Sequence, residues 1–263
     1  MKIAILGSTG NIGGLLTRMF TERGDTVYPL TRKDTLADTG YDVIVNCTGN
    51  AFLGREIFSV TEYYDKMVFN HLLYNPKTIV ISFSSGVAGR LSFDRPLPQD
   101  YYALAKANSE AKHRAAGFNI IDIRLFSSFD HSFKRDKPFF INKVIDNLIS
   151  KVKHIDTKTN IIRDYISAVD LFQVVNKCIE YGKNDVFEAY SDLPVNKMRI
   201  LSEFADKFGF EYELKDFTID NPYSGDKQFY TPGSFDAERI GYKPTISSLD
   251  NLISEVRIIL NNK

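Results

Sequence analysis

Two cysteines in 263 residues, Cys47 and Cys178, are too few for a disulfide framework or a four-ligand zinc site. The four histidines, His71, His113, His131 and His154, are scattered without helical ligand spacing, so no catalytic metal is expected. Charge of either sign is not in excess: 33 Lys and Arg balance 33 Asp and Glu. Binding a polyanion needs clustered cations that release phosphate counterions, which argues against a nucleic-acid partner. Long apolar runs are missing as well. After Lys2 only Ile3 to Leu6 are apolar before Gly7, too short for a secretory signal. Nowhere does an apolar run approach the ~20 residues that cross a bilayer. No membrane partner and a cytoplasmic location are the resulting expectations. With 43% hydrophobic and 25% charged residues, the composition is that of a globular α/β protein. Its length suits one large domain, or a core with a smaller lobe.

The apolar pattern alternates between strands and helices. Ile3–Leu6 is a continuous apolar run, as in a strand buried on both faces. From Asn11 to Arg23, Ile12, Leu15, Leu16, Met19 and Phe20 fall at helical spacing, and Gly24 closes the helix. Further strands are expected at Thr26–Leu30, Val43–Cys47, Thr78–Phe83 and Ile120–Phe126, with helices at Glu62–Leu73 and Tyr101–Ala116 between them. That order implies βαβ units and a doubly wound, Rossmann-like parallel sheet. Ser127–Pro138 reads as a loop. Beyond it, helices are expected at about 139–150, 170–181, 202–208 and 249–260, and strands at 186–190 and 212–217. Residues 1–128 with about 161–192 are assigned to the dinucleotide-binding core, and about 129–160 with 193–263 to a small C-terminal substrate lobe.

Gly7, Gly10 and Gly13 stand three residues apart between the first strand and the first helix. Gly7 permits a sharp strand exit, Gly10 lets the backbone approach a pyrophosphate, and Gly13 lets the helix sit close to the strand. A helix N-terminus suits the anion, which adds Thr9, Asn11 and Ile12 to the expected cofactor residues. The spacing resembles that of the extended branch of the short-chain dehydrogenase/reductase family. At the end of the second strand, an acid would hold the ribose 2′-OH of NAD and a cation the 2′-phosphate of NADP. Here Arg32 and Lys33 follow Thr31, so NADP is expected, with NAD as the alternative. Asn46 to Gly49 fits the family's lining beneath the cofactor, which adds Cys47, Thr48 and Gly49 to the cofactor residues.

Tyr102 and Lys106 lie one helical turn apart, on one face of their helix. The ammonium lowers the phenol from its ordinary pKa of ~10, so that it can pass a proton to or from a carbonyl or hydroxyl oxygen. In the family this pair is catalytic, with Lys106 also reaching the nicotinamide ribose. The family's catalytic hydroxyl precedes a Val-Tyr-Gly segment by three residues. Val87-Ala88-Gly89 stands there, which selects Ser84, with Ser85 in reserve as a substrate contact. Ser85-Gly86 replaces the Asp-Glu of the dehydratases, so 4,6-dehydration is not expected.

Arg163-Asp164-Tyr165-Ile166 and Asp170 resemble a segment of the nucleotide-sugar epimerases in which the arginine meets the nucleotide diphosphate. Asp164 and Asp170 are read as structural. Ser127 replaces a frequent asparagine after Arg124-Leu125-Phe126, and Tyr223 replaces an arginine before Gly225-Asp226; both are kept as substrate-binding candidates. The resemblance implies an NAD(P)-dependent oxidoreductase acting on a nucleotide sugar. Reduction of a 4-keto sugar by NADPH is the first reading and 4-epimerisation with tightly held NAD the second. A non-catalytic NADP-binding regulator is the third. A homodimer is the default assembly. Only eleven residues separate Leu30 from Asp42, too few for the helix and strand usual in the family at that point.

Overall fold

The computed structural model describes residues 1–37, 40–49, 54–91, 100–216 and 228–262. In chain order these form β1 (Lys2–Leu6), α1 (Asn11–Glu22), β2 (Thr26–Leu30), β3 (Val43–Asn46), α2 (Glu56–Tyr74), β4 (Ile79–Ser85), α3 (Tyr101–Ala115) and β5 (Ile120–Leu125). There follow β6 (Ser127–Ser128), α4 (Phe140–Ser150), β7 (His154–Thr157), β8 (Ile162–Arg163), β9 (Tyr165–Ile166), α5 (Ala168–Tyr181) and β10 (Asp185–Ala189). The chain ends with β11 (Val195–Asn196), α6 (Lys197–Phe208), β12 (Tyr212–Lys215), β13 (Phe229–Tyr230) and α7 (Ser248–Asn261). Among the described residues no helix is long and apolar enough to cross a membrane.

Two compact units emerge. The first comprises Met1–Leu125, Leu171–Ala189 and Gly233–Lys243. The second comprises Phe126–Asp170, Tyr190–Pro232 and Pro244–Lys263. Residues 126–128, 161–170 and 190–192, assigned from sequence to the core, thus belong to the second unit, and 233–243, assigned to the lobe, belong to the first.

The first unit is built on a six-stranded sheet in the order β10-β5-β4-β3-β1-β2. Every neighbouring pair in it is parallel. β1 and β3 show why: apart from Lys2 their residues are buried, as sheets covered on both faces require. β2 forms one edge, pairing with β1 alone. That position tolerates Pro29, which has no N–H to donate, and agrees with the short Leu30–Asp42 connection. Chain order reverses between β1 and β3, because β2 lies to one side of β1 and β3, β4 and β5 to the other. The crevice at the carboxyl ends of these strands is where sheets of this kind bind ligands.

α1 packs through Leu15, Leu16 and Phe20. Its approach to β1 depends on Gly13, where a Cβ would lie 2.3 Å from the Gly7 carbonyl oxygen and 2.8 Å from its carbon. A methyl group there has nowhere to go. α2 begins at Glu56 rather than Glu62, with that acid in its first turn, where it complements the helix dipole.

The second unit holds three small sheets, β11-β8-β13, β12-β7 and β6-β9. They surround a core that includes Ile141, Val144, Leu201, Phe204, Leu252 and Val256. α6 starts five residues before the expected Ser202, because the Asn196 side chain accepts from the Arg199 N–H and caps it. β12 was expected to reach Phe217, which lies outside the described residues.

Gly13→Ala should cost about 1–3 kcal/mol through overpacking against backbone, read as a fall in Tm. Gly10→Ala, whose Cβ would meet the Gly7 oxygen at 3.3 Å, should cost less. Equal losses would contradict the packing argument.

Candidate active site

The ends of β1, β3 and β4 converge on one region of the first unit. At the end of β1, Gly7 takes φ +77, a left-handed conformation that favours glycine. A Cβ there would lie 3.2 Å from both the carbonyl carbon and the oxygen of Cys47. Gly7 and Ser8 donate their N–H groups to the Leu30 carbonyl at 3.1 and 3.2 Å, which ties the loop to the end of β2. Thr9 and Gly10 are exposed at its tip, Asn11 and Ile12 are half-buried, and Gly13 is buried. Gly10, in extended conformation, is the N-cap of α1, without a side-chain cap and without an acid in the first turn. This backbone cradle, closed to any Cβ at Gly13, fits a dinucleotide pyrophosphate.

Beyond β3, Asn46 Oδ1 accepts from the Thr48 N–H at 3.1 Å and from its hydroxyl at 2.6 Å. The turn so formed presents the Thr48 carbonyl to Lys106, whose Nζ donates to it at 3.1 Å and to the Phe83 carbonyl at 2.7 Å. Gly49 follows at φ +109, and a Cβ there would lie 3.1 Å from Nζ. Lys106 is buried. Burial pulls its pKa below the ordinary lysine value, opposed first by Asp65 and then by Asp122, Cys47 and Glu110. Tyr102 lies one turn earlier on α3 and is half-buried. The structure therefore brings the glycine loop, the Cys47–Gly49 turn and the Lys106 amine together.

Ser84 is placed otherwise than expected. Its hydroxyl, assigned to the substrate oxygen, donates instead to Glu110 Oε1 at 2.5 Å in a buried position. Glu110 is itself gripped by Arg124, with Nε 3.0 Å from Oε1 and Nη2 2.7 Å from Oε2. A charge-assisted bond of this kind holds the hydroxyl firmly. The glycine of Val87-Ala88-Gly89 gains its reason here: a Cβ on Gly89 would sit 2.5 Å from Arg124 Nη1. Ser85, also buried, lies within 3.5 Å of the Val87 N–H through its Oγ.

Arg32 and Lys33 are exposed beyond the end of β2, and neither enters an ion pair among the described residues. Asp34, the first acid after β2, is turned back on Thr31, accepting from its N–H and its hydroxyl at 2.7 Å each.

In the second unit, Arg163 is half-buried on β8. It donates to the Ile162 carbonyl at 2.9 Å, and its guanidinium carbon lies 6.0 Å from the centre of the Tyr230 ring. Ser127 pairs with Tyr165 between β6 and β9, and Phe126 packs on Tyr230 with ring centres 5.1 Å apart. Tyr230, on β13, was not singled out from the sequence, for an aromatic in a two-residue strand has no distinguishing signal. Tyr223 lies outside the described residues. Asp164 and Asp170 are deeply buried. Asp164 Oδ1 accepts from the Ser191 N–H at 3.0 Å, and Asp170 Oδ1 from the Thr245 N–H and hydroxyl at 3.0 and 2.7 Å. Asp130, His131 and Glu255 come within ligating distance of one another, but His131 Nδ1 is already bonded to Glu255 Oε2 at 2.8 Å.

Sequence reasoning missed a buried polar stripe on α3. Ser109, Glu110 and His113 continue inward from Lys106 at helical spacing, a pattern visible among the alanines of this helix but not used.

No family model matches the sequence, and no curated protein matches it either. Solved structures do. UDP-glucuronic acid 4-epimerase from Bacillus cereus, in complex with UDP-glucuronic acid and NAD, superposes with a TM-score of 0.79 at 16% identity over 100% of both chains. dTDP-glucose 4,6-dehydratase from Bacillus anthracis, in complex with NAD, gives 0.78 at 14% identity over 100% of this chain and 97% of that one. UDP-glucose 4-epimerase from Thermotoga maritima gives 0.79 at 14% identity over 100% and 99%. The fold is the one shared by these epimerases and this dehydratase. At such identities the likeness is one of fold, and the chemistry must be argued from the residues.

Two outcomes are expected. Ser84→Ala should cost about 1.5–3 kcal/mol, the value of a hydrogen bond to a charged group, read by denaturant unfolding. Asp164 concerns pH. Burial first, with Asp170 adding, pushes it up to about 7 against the pull of the Ser191 N–H. The folded protein then holds this proton where the unfolded chain, with an ordinary value of 3.8, has lost it. Its contribution to stability should fall as pH rises from about 4 to 7 and then level off. Asp164→Asn should gain on the wild type across that window, measured as Tm against pH. A constant difference would contradict the assignment.

Proposed function

We propose that the protein is an NAD(P)-dependent oxidoreductase of the short-chain dehydrogenase type that acts on a nucleotide sugar. The observation that carries this reading is the placement of Lys106. Its amine is bonded to the Thr48 and Phe83 carbonyls at the carboxyl ends of β3 and β4, beside the glycine cradle and one turn from Tyr102. A buried amine kept beside a half-buried phenol is unexplained by packing alone, since burying it is costly.

A nicotinamide cofactor, when bound, supplies or accepts the hydride. This chain's residues hold it and move the proton. The backbone of Gly7 to Gly13 takes the pyrophosphate, and Cys47, Thr48 and Gly49 line the adjoining turn. Tyr102 passes its hydroxyl proton to the substrate oxygen during reduction and takes it back during oxidation. Lys106 stabilises the phenolate that forms. With Ser84 bonded to Glu110, the substrate-orienting hydroxyl is assigned to Ser85. Arg163 and Ser127 are assigned to the nucleotide sugar, Arg163 for its forked, diphosphate-matching guanidinium.

NADPH-dependent reduction of a 4-keto sugar is the finer reading. It rests on Asp34, whose carboxylate is occupied by Thr31, and on Arg32 and Lys33, exposed where a 2′-phosphate is met. Epimerisation at C4 with held NAD is the second reading, favoured by neighbours such as the epimerase in complex with UDP-glucuronic acid and NAD.

Purified protein should bind NADPH at least about tenfold more tightly than NADH by calorimetry, a difference of 1.4 kcal/mol. Arg32→Ala should erase that preference. Stoichiometric NAD released on denaturation would overturn the reductase reading in favour of the epimerase. Tyr102→Phe should leave nucleotide binding intact and lower kcat on a 4-keto nucleotide sugar by about a hundredfold or more; unchanged turnover would refute the catalytic assignment.

A further inference from the structure

Beside Lys106 is a polar cavity of about 10 Å³, the smallest size that admits one water molecule. Lys106, Asp65, Ser109, Ser82 and Asp122 are among the side chains that line it, and all five are buried. Asp65 comes from α2, Lys106 and Ser109 from α3, Ser82 from β4 and Asp122 from β5.

Asp65 is tightly fixed. Its Oδ2 accepts from the Ser109 hydroxyl at 2.9 Å and pairs with Lys112 Nζ at 2.6 Å, while its Oδ1 lies 3.4 Å from His113 Nε2. The other nitrogen of His113 lies 2.9 Å from Asp122 Oδ1. Asp122 Oδ2 is also bonded to Arg114 at 2.9 Å. The imidazole is thus clamped between two buried carboxylates. Burial disfavours its charge, but the bonds to Asp122 and Asp65 outweigh that and hold His113 up at about 9. Asp65 in turn is opposed by its own burial, yet His113 and Lys112 hold it down at about 2. Both groups are therefore charged at neutral pH.

We propose that Asp65, locked by Ser109, Lys112 and His113, is the counter-ion of Lys106 across this cavity and so a positioning residue for the Tyr102–Lys106 pair. This rests on the reading of that pair as the proton-transfer unit. The physical need is plain. An ammonium bonded to two neutral carbonyls in a buried site gains no compensating charge from them, and an unpaired buried charge gives up its proton. Around Lys106 the ionisable groups are Asp65 on α2, Glu110 on α3, Asp122 on β5 and Cys47 after β3. Glu110 is spent on Arg124 and Ser84. Asp122 is spent on His113 and Arg114. The Cys47 thiol is pushed up by burial and stays neutral. Asp65 also has cationic partners, but Lys112 is shared with Glu62 at 2.7 Å and His113 with Asp122 at 2.9 Å. Asp65 lines the same cavity as Lys106, where it is the foremost charge opposing the burial of that lysine.

The test needs no substrate. The titration of Tyr102 is read as the difference in ultraviolet phenolate absorbance between the protein and its Tyr102→Phe variant, which isolates one of the 14 tyrosines. In the wild type, Tyr102 should ionise at lower pH than the exposed tyrosines. In Asp65→Asn the midpoint should rise by about one pH unit or more, as Lys106 loses its proton and its influence. Lys112→Gln alters a side chain nearer the surface and removes a competitor for Asp65. Its midpoint should move the other way, to lower pH, so the proposal remains testable if Asp65→Asn does not fold. A wild-type midpoint in the ordinary tyrosine range would overturn the proton-transfer reading and this proposal with it. A lowered wild-type midpoint that Asp65→Asn leaves in place, or that Lys112→Gln leaves in place or raises, would overturn this proposal alone.

Discussion

The burial of the Lys106 amine is the constraint on which the first unit's site depends. An ammonium removed from water must be given acceptors and opposite charge, or it loses its proton. The acceptors are the Phe83 carbonyl, near the end of β4, and the Thr48 carbonyl, just beyond β3. Asn46 folds the chain after β3 so that the Thr48 carbonyl is presented, and Gly49 leaves room for Nζ where any other residue would place a Cβ. The opposite charge comes from beneath, through an α2 carboxylate. A large share of the polar residues buried between α2, α3 and the sheet is explained by this one requirement.

A second, separate demand comes from the backbone. Gly13 against Gly7 sets how closely α1 approaches β1, and Gly7 against Cys47 sets how closely the ends of β1 and β3 approach each other. At Gly13 there is no room for a methyl group, and at Gly7 one would press on the Cys47 carbonyl at 3.2 Å. The two demands meet at the Cys47–Gly49 turn, which packs against the glycine loop on one side and bonds Lys106 on the other. The glycine loop and the Lys106 amine are thereby held by the same three residues after β3.

Much of the sheet domain was legible from sequence. Ile3–Leu6 and Val43–Val45 are continuous apolar runs because parallel strands are covered on both faces, and the glycine spacing has few other physical uses. The segment after Leu30 reads as too short for a further helix and strand, and the described residues between β2 and β3 form neither. The second unit was harder to read: its strands are mostly two residues long, below the length at which alternation shows, and the α6 start hinged on a single asparagine cap. In the site, Tyr102 and Lys106 stood out by spacing, while the bond from the Ser84 hydroxyl to Glu110 is a tertiary contact that no motif registers. Asp65, His113 and Asp122 escaped notice because each sits on a different element, and their meeting is purely tertiary.

The central claim is that this site moves a hydride with Tyr102 supplying the proton. NADPH carrying deuterium on the transferred position of the nicotinamide, offered with a panel of 4-keto nucleotide sugars, tests it most directly by mass spectrometry of the products. The account predicts deuterium at C4 of at least one sugar with the wild-type protein and none above background with Tyr102→Phe. Bound nucleotide with no label transferred to any 4-keto sugar, or equal transfer by the Tyr102→Phe variant, would contradict it.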